Sequence, residues 1–320
     1  MKKSSQNKKT TVAKKASGTK SLPVPRSIDE WKTFWQNHPV AMELPEKASA
    51  DRKFLTQVRT PKKEMQRLKR VNAEFKRASE ALIDTGVAVT VFGSARFQEN
   101  HPYYQLAREV GQELAKAGFT TLTGGGPGIM EAANRGAFEQ GGKSIGMNIK
   151  LPYEQVANPY VDQSIEFSYF FARKTCLVKY SCAYIVMPGG LGTLDELFEA
   201  ATLVQCGKIG PFPVILMGLK FWQGLREWML TMVDSGVFAK EEIQFAHITD
   251  SPQEAVEFIK ASLSADLLPK LPPPPTKPAK KSSKVPSNKK APAKSAKSKA
   301  PATATRTRKT APVKKPKPKG

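Results

Sequence analysis

Acidic residues are missing from both ends of this 320-residue chain, and that absence organises the rest of its composition. Residues 1–20 carry seven Lys and no acid, and residues 271–320 carry sixteen Lys or Arg and no acid. The formal net charge of +23 therefore belongs to the two ends, and residues 21–270 are electrically balanced. This describes a neutral body between two basic tails and argues against a basic nucleic-acid-binding domain. Cysteine is scarce as well. Cys176, Cys182 and Cys206 form no CxxC pair and are odd in number, which speaks against a disulfide framework or a zinc site and fits a reducing cytoplasm. No apolar run approaches the length of a membrane helix, and no signal-peptide core follows the Lys-rich start. That start also lacks the Arg-rich amphipathic pattern of a transit peptide, so a cytoplasmic protein is expected. The tail after Leu271 holds no aromatic residue on which a base could stack.

What remains divides by composition into four parts. Residues 1–25 and 267–320 mix Lys with Pro, Ala, Ser and Thr, bury too little to offset the entropy of ordering, and are expected to be disordered. Residues 26–86 are expected to form a helical extension, and residues 87–266 a single Rossmann-like domain. The tails can attract polyanions by counterion release, so nonspecific nucleic-acid binding is one expected role for them and plain solvation the other.

Within the extension, Ser27-Ile28-Asp29-Glu30 reads as a capping box opening a helix with Trp31, Phe34 and Trp35, expected to pack on the body. Thr60-Pro61 reads as a cap with proline at the first helical position. Met65, Leu68, Val71, Phe75 and Leu82 then recur at helical spacing until Gly86. From Val87 the chain alternates short apolar runs with longer helical segments, the pattern of a doubly wound parallel sheet with flanking helices, an α/β class. Strands are predicted at Val87–Phe92, Phe119–Thr123, Ser144–Met147, Ala183–Met187 and Val214–Met217, and a last helix at Ser251-Pro252.

Three of these strands lead into loops of small residues: Gly93-Ser94-Ala95-Arg96, Gly124-Gly125-Gly126-Pro127-Gly128 and Gly189-Gly190-Leu191-Gly192. In an open parallel sheet such loops meet beyond the carboxyl ends of the strands, where strand order reverses. Glycine lets backbone amides approach an anion, and a helix start carries partial positive charge, so a phosphate fits there; Thr193 adds a hydroxyl donor. Each loop is equally readable as a tight strand-to-helix turn. A P-loop is excluded because neither Gly128-Ile129-Met130 nor Gly192-Thr193-Leu194 supplies the lysine, and Gly124-Gly125-Gly126-Pro127-Gly128 breaks the dinucleotide spacing. His38, His101 and His247 are scattered, so no metal is expected.

Gly124–Asn134, Phe171-Ala172-Arg173-Lys174 and Pro188–Glu196 together resemble the Lonely Guy family of nucleoside 5′-monophosphate phosphoribohydrolases. The family hallmark PGGxGTxxE stands complete at Pro188, Gly189, Gly190, Gly192, Thr193 and Glu196, and its arginine matches Arg173. The resemblance runs from about Val87 through the strand of Ile215. It implies hydrolysis of the N-glycosidic bond of AMP or a cytokinin riboside monophosphate, without cofactor, in a protein that is at least a dimer. An older label for the family, lysine decarboxylase, needs a Schiff-base lysine and a partner for the pyridinium nitrogen, and no such constellation is visible.

On this resemblance Glu196 stabilises the cationic sugar or activates water, and Arg173 holds the ligand and orients Glu196. Gly125, Gly126, Gly128 and Met130 line the nucleotide pocket, Ser94 and Arg96 reach the phosphate, and Lys174 joins them. Glu131, in the first turn after the second glycine loop, either lies in the cleft or complements its helix dipole. Arg173 and Lys174 read without the resemblance as a solvated helix face. The competing function is a non-catalytic nucleotide or molybdenum-cofactor carrier. A third reading makes the body a nucleotide-sensing scaffold carried on nucleic acid by its tails.

Overall fold

The computed structural model describes residues 25–37, 49–56, 59–151, 157–210, 212–264, 266–267 and 270–272. Apart from Pro25, Leu267 and residues 270–272, the basic tails lie outside the described residues, as does His38. Seven parallel strands form one sheet in the order β4-β3-β2-β1-β5-β6-β7. Its central members are β1 (Ala88–Phe92), β2 (Thr120–Thr123), β3 (Ser144–Ile149), β5 (Ala183–Val186) and β6 (Val214–Met217), which realise the five predicted apolar runs. The chain winds outward from β1 to β4, returns, and winds the other way from β5, so strand order reverses between β1 and β5.

Two strands were not foreseen. β4 (Gln163–Phe167) and β7 (Ala246–Thr249) close the two edges, and both are half covered, with β4 alternating buried and exposed residues. An edge strand needs no continuous apolar run, because less of it faces core.

Helices cover both faces. α4 (Pro102–Lys116), α5 (Ile129–Glu139) and α9 (Pro252–Ser262) bury Val89, Val91, Ile185 and Met217 on one side. On the other, α3 (Pro61–Leu82), α6 (Phe170–Lys179), α7 (Leu191–Gln205) and α8 (Leu219–Asp234) cover Phe92, Leu122, Tyr184 and Leu216. Three helices start as local chemistry dictates. Thr60, His101 and Ser251 each accept a backbone N–H of the first turn, and each is followed by proline. His101 is thus a cap, and His247 is a surface group 2.8 Å from Glu254. Two short elements also escaped the sequence reading: α2 (Ala50–Thr56) and the 3₁₀ helix Lys240–Phe245.

The extension departs from expectation in two ways. α1 (Ile28–Asn37) leaves Ile28 75% and Trp31 41% exposed, with the Trp31 ring edge-on to Phe34 of the same helix at 5.6 Å, and none of its residues belongs to the buried core clusters of the body. In α3 the predicted stripe is displaced. Met65 and Leu68 are exposed, and the buried line is Arg67, Val71, Glu74, Ala78 and Leu82. Glu74 is buried because it is needed there: its carboxylate accepts the Ser168 N–H at 2.8 Å and the Tyr169 N–H at 3.3 Å, just before α6. Asp51 of α2 accepts the Phe170 N–H at 3.3 Å. The extension therefore anchors the start of the helix that carries Arg173.

α4 and α5 cross almost backbone to backbone. A Cβ on Gly136 would lie 1.9 Å from the Arg108 carbonyl oxygen, and one on Gly111 2.1 Å from that of Ala133. Neither carbonyl can yield without separating the helices. Gly136→Ala is expected to cost about 3 kcal/mol or more, well above the usual effect of one methyl group, as read by urea unfolding. Unchanged stability would show that the two helices are free to move apart.

Candidate functional site

The three small-residue loops do meet at the strand-order reversal. The Ser94 N–H donates to the Pro188 carbonyl at 3.0 Å, and the Ile129 N–H donates to the Ser94 carbonyl at 3.0 Å. The loop after β1 is thereby tied to the loop after β5 and to the start of α5. Gly128 takes φ +70°, and a Cβ there would stand 2.5 Å from the Ser94 oxygen, so only glycine allows this three-way closure.

The second loop is pinned from below by buried amides. Asn158 donates from its side chain to the Gly126 carbonyl at 3.1 Å and from its backbone to the Gly125 carbonyl at 2.9 Å. Asn148 donates to the Gly125 carbonyl at 3.2 Å, while Thr123 accepts the Gly125 N–H at 2.9 Å. Asn134 links this set to Ser144 at 2.8 Å. Sequence reading missed Asn148 and Asn158, since an isolated Asn in a strand or loop gives no periodic signal.

α7 begins directly after Gly190 and carries Glu196 in its second turn, buried. Opposite, α6 presents Arg173, also buried. Its Nε donates to the Met147 carbonyl at 2.7 Å, and its Nη1 lies 3.9 Å from Glu196 Oε1. The other end of the guanidinium sits on Gly124, where a Cβ would be 2.2 Å from Nη2 and 2.7 Å from the sulfur of Met130. Gly124, Met130, Arg173 and Glu196 are therefore one cluster. The second carboxylate oxygen of Glu196 is buried without a hydrogen-bond partner.

Burial drives the Glu196 pKa upward, Arg173 and Lys174 pull it back, and it stands at about 7. Burial also lowers the pKa of Arg173, against the opposing charge of Glu196. A carboxyl group that changes charge near neutrality beside a fixed cation suits proton transfer and the stabilisation of a developing positive charge.

The remaining predicted residues are placed less uniformly. Gly189 packs beneath Thr193, whose N–H bonds the Gly190 carbonyl at 3.0 Å, while Gly190 and Gly192 are open at Cα. Ser94 accepts the Arg96 N–H with its hydroxyl at 3.2 Å, and the Arg96 side chain is exposed. Glu131 accepts the Tyr104 hydroxyl at 3.0 Å on the α4 side of the sheet, the face opposite Arg173 and Glu196. Lys174 is held between Asp195 at 3.0 Å and Glu199 at 2.8 Å, bridging α6 to α7. Burial pulls its pKa down, but the bonds to Glu199 and Asp195 outweigh burial and keep it raised and charged. Cys176 and Cys182 are not activated thiols, because burial pushes them up to about 11 and about 12. Among the described residues, no cluster of His, Cys, Asp and Glu is arranged to hold a metal, and no helix is long and apolar enough to cross a membrane.

A doubly wound parallel sheet with glycine loops and a buried arginine–carboxylate pair at its switch point defines an α/β protein of the Rossmann-like class. Residues 130–259 match the family described as "Possible lysine decarboxylase". A cytokinin riboside 5′-monophosphate phosphoribohydrolase from Mycobacterium tuberculosis is 33% identical over 154 residues, covering 48% of this chain and 82% of the relative. One from Arabidopsis thaliana is 29% identical over 175 residues, covering 54% of this chain and 80% of the relative. Among solved structures, the molybdenum cofactor carrier protein of Chlamydomonas reinhardtii aligns at 26% identity over 55% of this chain and 97% of that one, at a TM-score of 0.40, too loose to bear on function. The chain belongs to the Lonely Guy family of phosphoribohydrolases.

Proposed function

We propose that this protein hydrolyses the N-glycosidic bond of a purine nucleoside 5′-monophosphate, AMP or a cytokinin riboside 5′-monophosphate, to free base and ribose 5-phosphate. The observation that carries this reading is the buried Arg173–Glu196 pair beside a helix start built from Pro188-Gly189-Gly190. The amides opening α7 and the hydroxyl of Thr193 receive the 5′-phosphate, which places the ribose one turn further along, beside Glu196. As the bond to the base stretches, the sugar gains oxocarbenium character, and the Glu196 carboxylate stabilises it and then takes a proton from the attacking water, while the departing base takes up one proton from solvent and the carboxyl later returns its own. Arg173 holds that carboxylate in place and favours its charged form. Ser94 and Arg96 extend the phosphate contact, while Gly125, Gly126, Gly128 and Met130 form the wall on the β2 side. Glu131, turned toward Tyr104, serves its helix start, and Lys174 serves the α6–α7 contact.

The deciding experiment incubates the purified protein with AMP and with isopentenyladenosine monophosphate and follows free base and ribose 5-phosphate by chromatography. Release of both products in equal amounts supports the reading, and the faster substrate identifies the base. Tight nucleotide binding with no product would favour the carrier instead.

A dimer fits the exposed apolar face of α7. Leu191 is 87% exposed, and the groove of Leu191, Leu194, Phe198 and Leu203 adjoins a cavity of about 420 Å³ lined by Phe198, Val204, Met229 and Phe245. Covering such a patch with a second copy removes apolar surface from water close to the site. The basic tails add nonspecific attraction to nucleic acid, a role separate from turnover, in a protein that works in the cytoplasm.

A further inference from the structure

Tyr184 stands in the centre of the sheet on β5, fully buried, with its side chain on the face covered by α6 and α7. Its ring is wedged edge-on between Phe92 and Phe212, each 4.8 Å away between centroids, so it cannot swing elsewhere. Its hydroxyl is buried without a hydrogen-bond partner, and so is Oε2 of Glu196. A buried donor and a buried acceptor, both unpaired, each carry the cost of lost hydration.

We infer that Tyr184 is a positioning residue for Glu196: its phenolic O–H is linked to the buried oxygen of the carboxylate through one enclosed water. Glu199 Oε2 is likewise buried without a hydrogen-bond partner, but the Lys174 ammonium stands 2.8 Å from it and supplies its counter-charge, whereas Glu196 Oε2 has no such neighbour. The charges around the pair agree with the assignment. Burial first, and then the charges of Glu196 and Glu199, raise the Tyr184 pKa well above 10, so the phenol stays protonated and remains a donor. Glu196 is then held at both ends, with Arg173 facing one oxygen and Tyr184 the other. One buried water linking two buried polar groups is ordinary in protein interiors.

This inference rests on the proposed role of Glu196, and its test separates the two. Tyr184→Phe removes one oxygen and keeps the ring, so the full-length variant should fold with a melting temperature close to that of the parent. The Glu196 carboxyl is followed by carbon NMR titration, assigned with Glu196→Gln, in parent and variant. Loss of the donor disfavours the carboxylate, so its pKa should rise by about one unit, and the acid limb of the cleavage profile should move up with it. Cleavage below pH 7 should fall on the order of tenfold, and less at higher pH. The groups facing Glu196 are Arg173 and Lys174 from α6, Asp195 and Glu199 from α7, and Tyr184 from β5; only the last is altered. An unchanged Glu196 titration together with a higher melting temperature would overturn the inference and leave Tyr184 as an unsatisfied core hydroxyl. A parent protein that cleaves no nucleotide would overturn the proposed function, while the titration would still decide the role of Tyr184.

Discussion

Glu196→Gln is expected to bind nucleotide and to cleave it about a thousandfold more slowly, because the amide keeps the shape of the side chain and can neither carry charge nor take a proton. The loss should appear in kcat, with KM little changed, since the proposed phosphate grip comes from the start of α7 and not from the acid. The parent should gain activity as pH rises through about 7, where Glu196 ionises, and the variant should lose that dependence. A stability signature accompanies the kinetic one. The folded pKa of about 7 lies above the ordinary value of 4.5, so the folded state binds the proton more tightly than the unfolded chain does. The resulting stabilisation is complete below about pH 4.5 and is lost as pH climbs to about 7, worth about 3 kcal/mol across that window. Urea unfolding of parent and variant at pH 5 and pH 8 reads it as a difference: the parent should lose ground to the variant by most of that amount. Undiminished cleavage by the variant would remove Glu196 from the mechanism altogether.

Arg173→Lys should be far from conservative. The guanidinium makes three contacts at once: Nε to the Met147 carbonyl at 2.7 Å, Nη1 facing Glu196 at 3.9 Å, and Nη2 against Gly124. An ammonium group is a single point on a shorter chain and can satisfy one of these. If it stays with Met147, Glu196 loses its counter-charge and its pKa climbs further. If it turns to Glu196, a buried carbonyl is left bare. Either way cleavage at pH 7 should fall about a hundredfold and stability should drop by about 2 kcal/mol, and in the first case the activity midpoint should also shift to higher pH. Parent-like kinetics would mean that Arg173 supplies only bulk positive charge.

Much of this architecture was legible before any coordinates. Gly-rich turns after apolar runs announced a parallel sheet, and Thr60-Pro61 and Ser251-Pro252 marked helix starts that the structure shows in place. Through the family resemblance, PGGxGTxxE and Arg173 marked the two helices that form the candidate site. Less visible was anything whose role depends on a distant partner. Nothing local says that Glu74 belongs inside α3 to hold the backbone before α6, or that Lys174 spends its charge on Asp195 and Glu199. The pairing of Tyr184 with the neighbourhood of Glu196 is equally nonlocal, since a tyrosine in an apolar strand reads as packing alone.

The order of helices and strands and the glycine turns follow from residues close together in the chain, because caps, turn preferences and hydrophobic period act over a few residues, while Arg173 and Glu196 were marked by the family resemblance. The edge strands, the amide network under Gly125 and the pKa of Glu196 came from folding, because each needs groups far apart in sequence brought into contact and shielded from water. Burial turns an ordinary glutamate into one that titrates near neutrality, and burial belongs to the assembled sheet and helices.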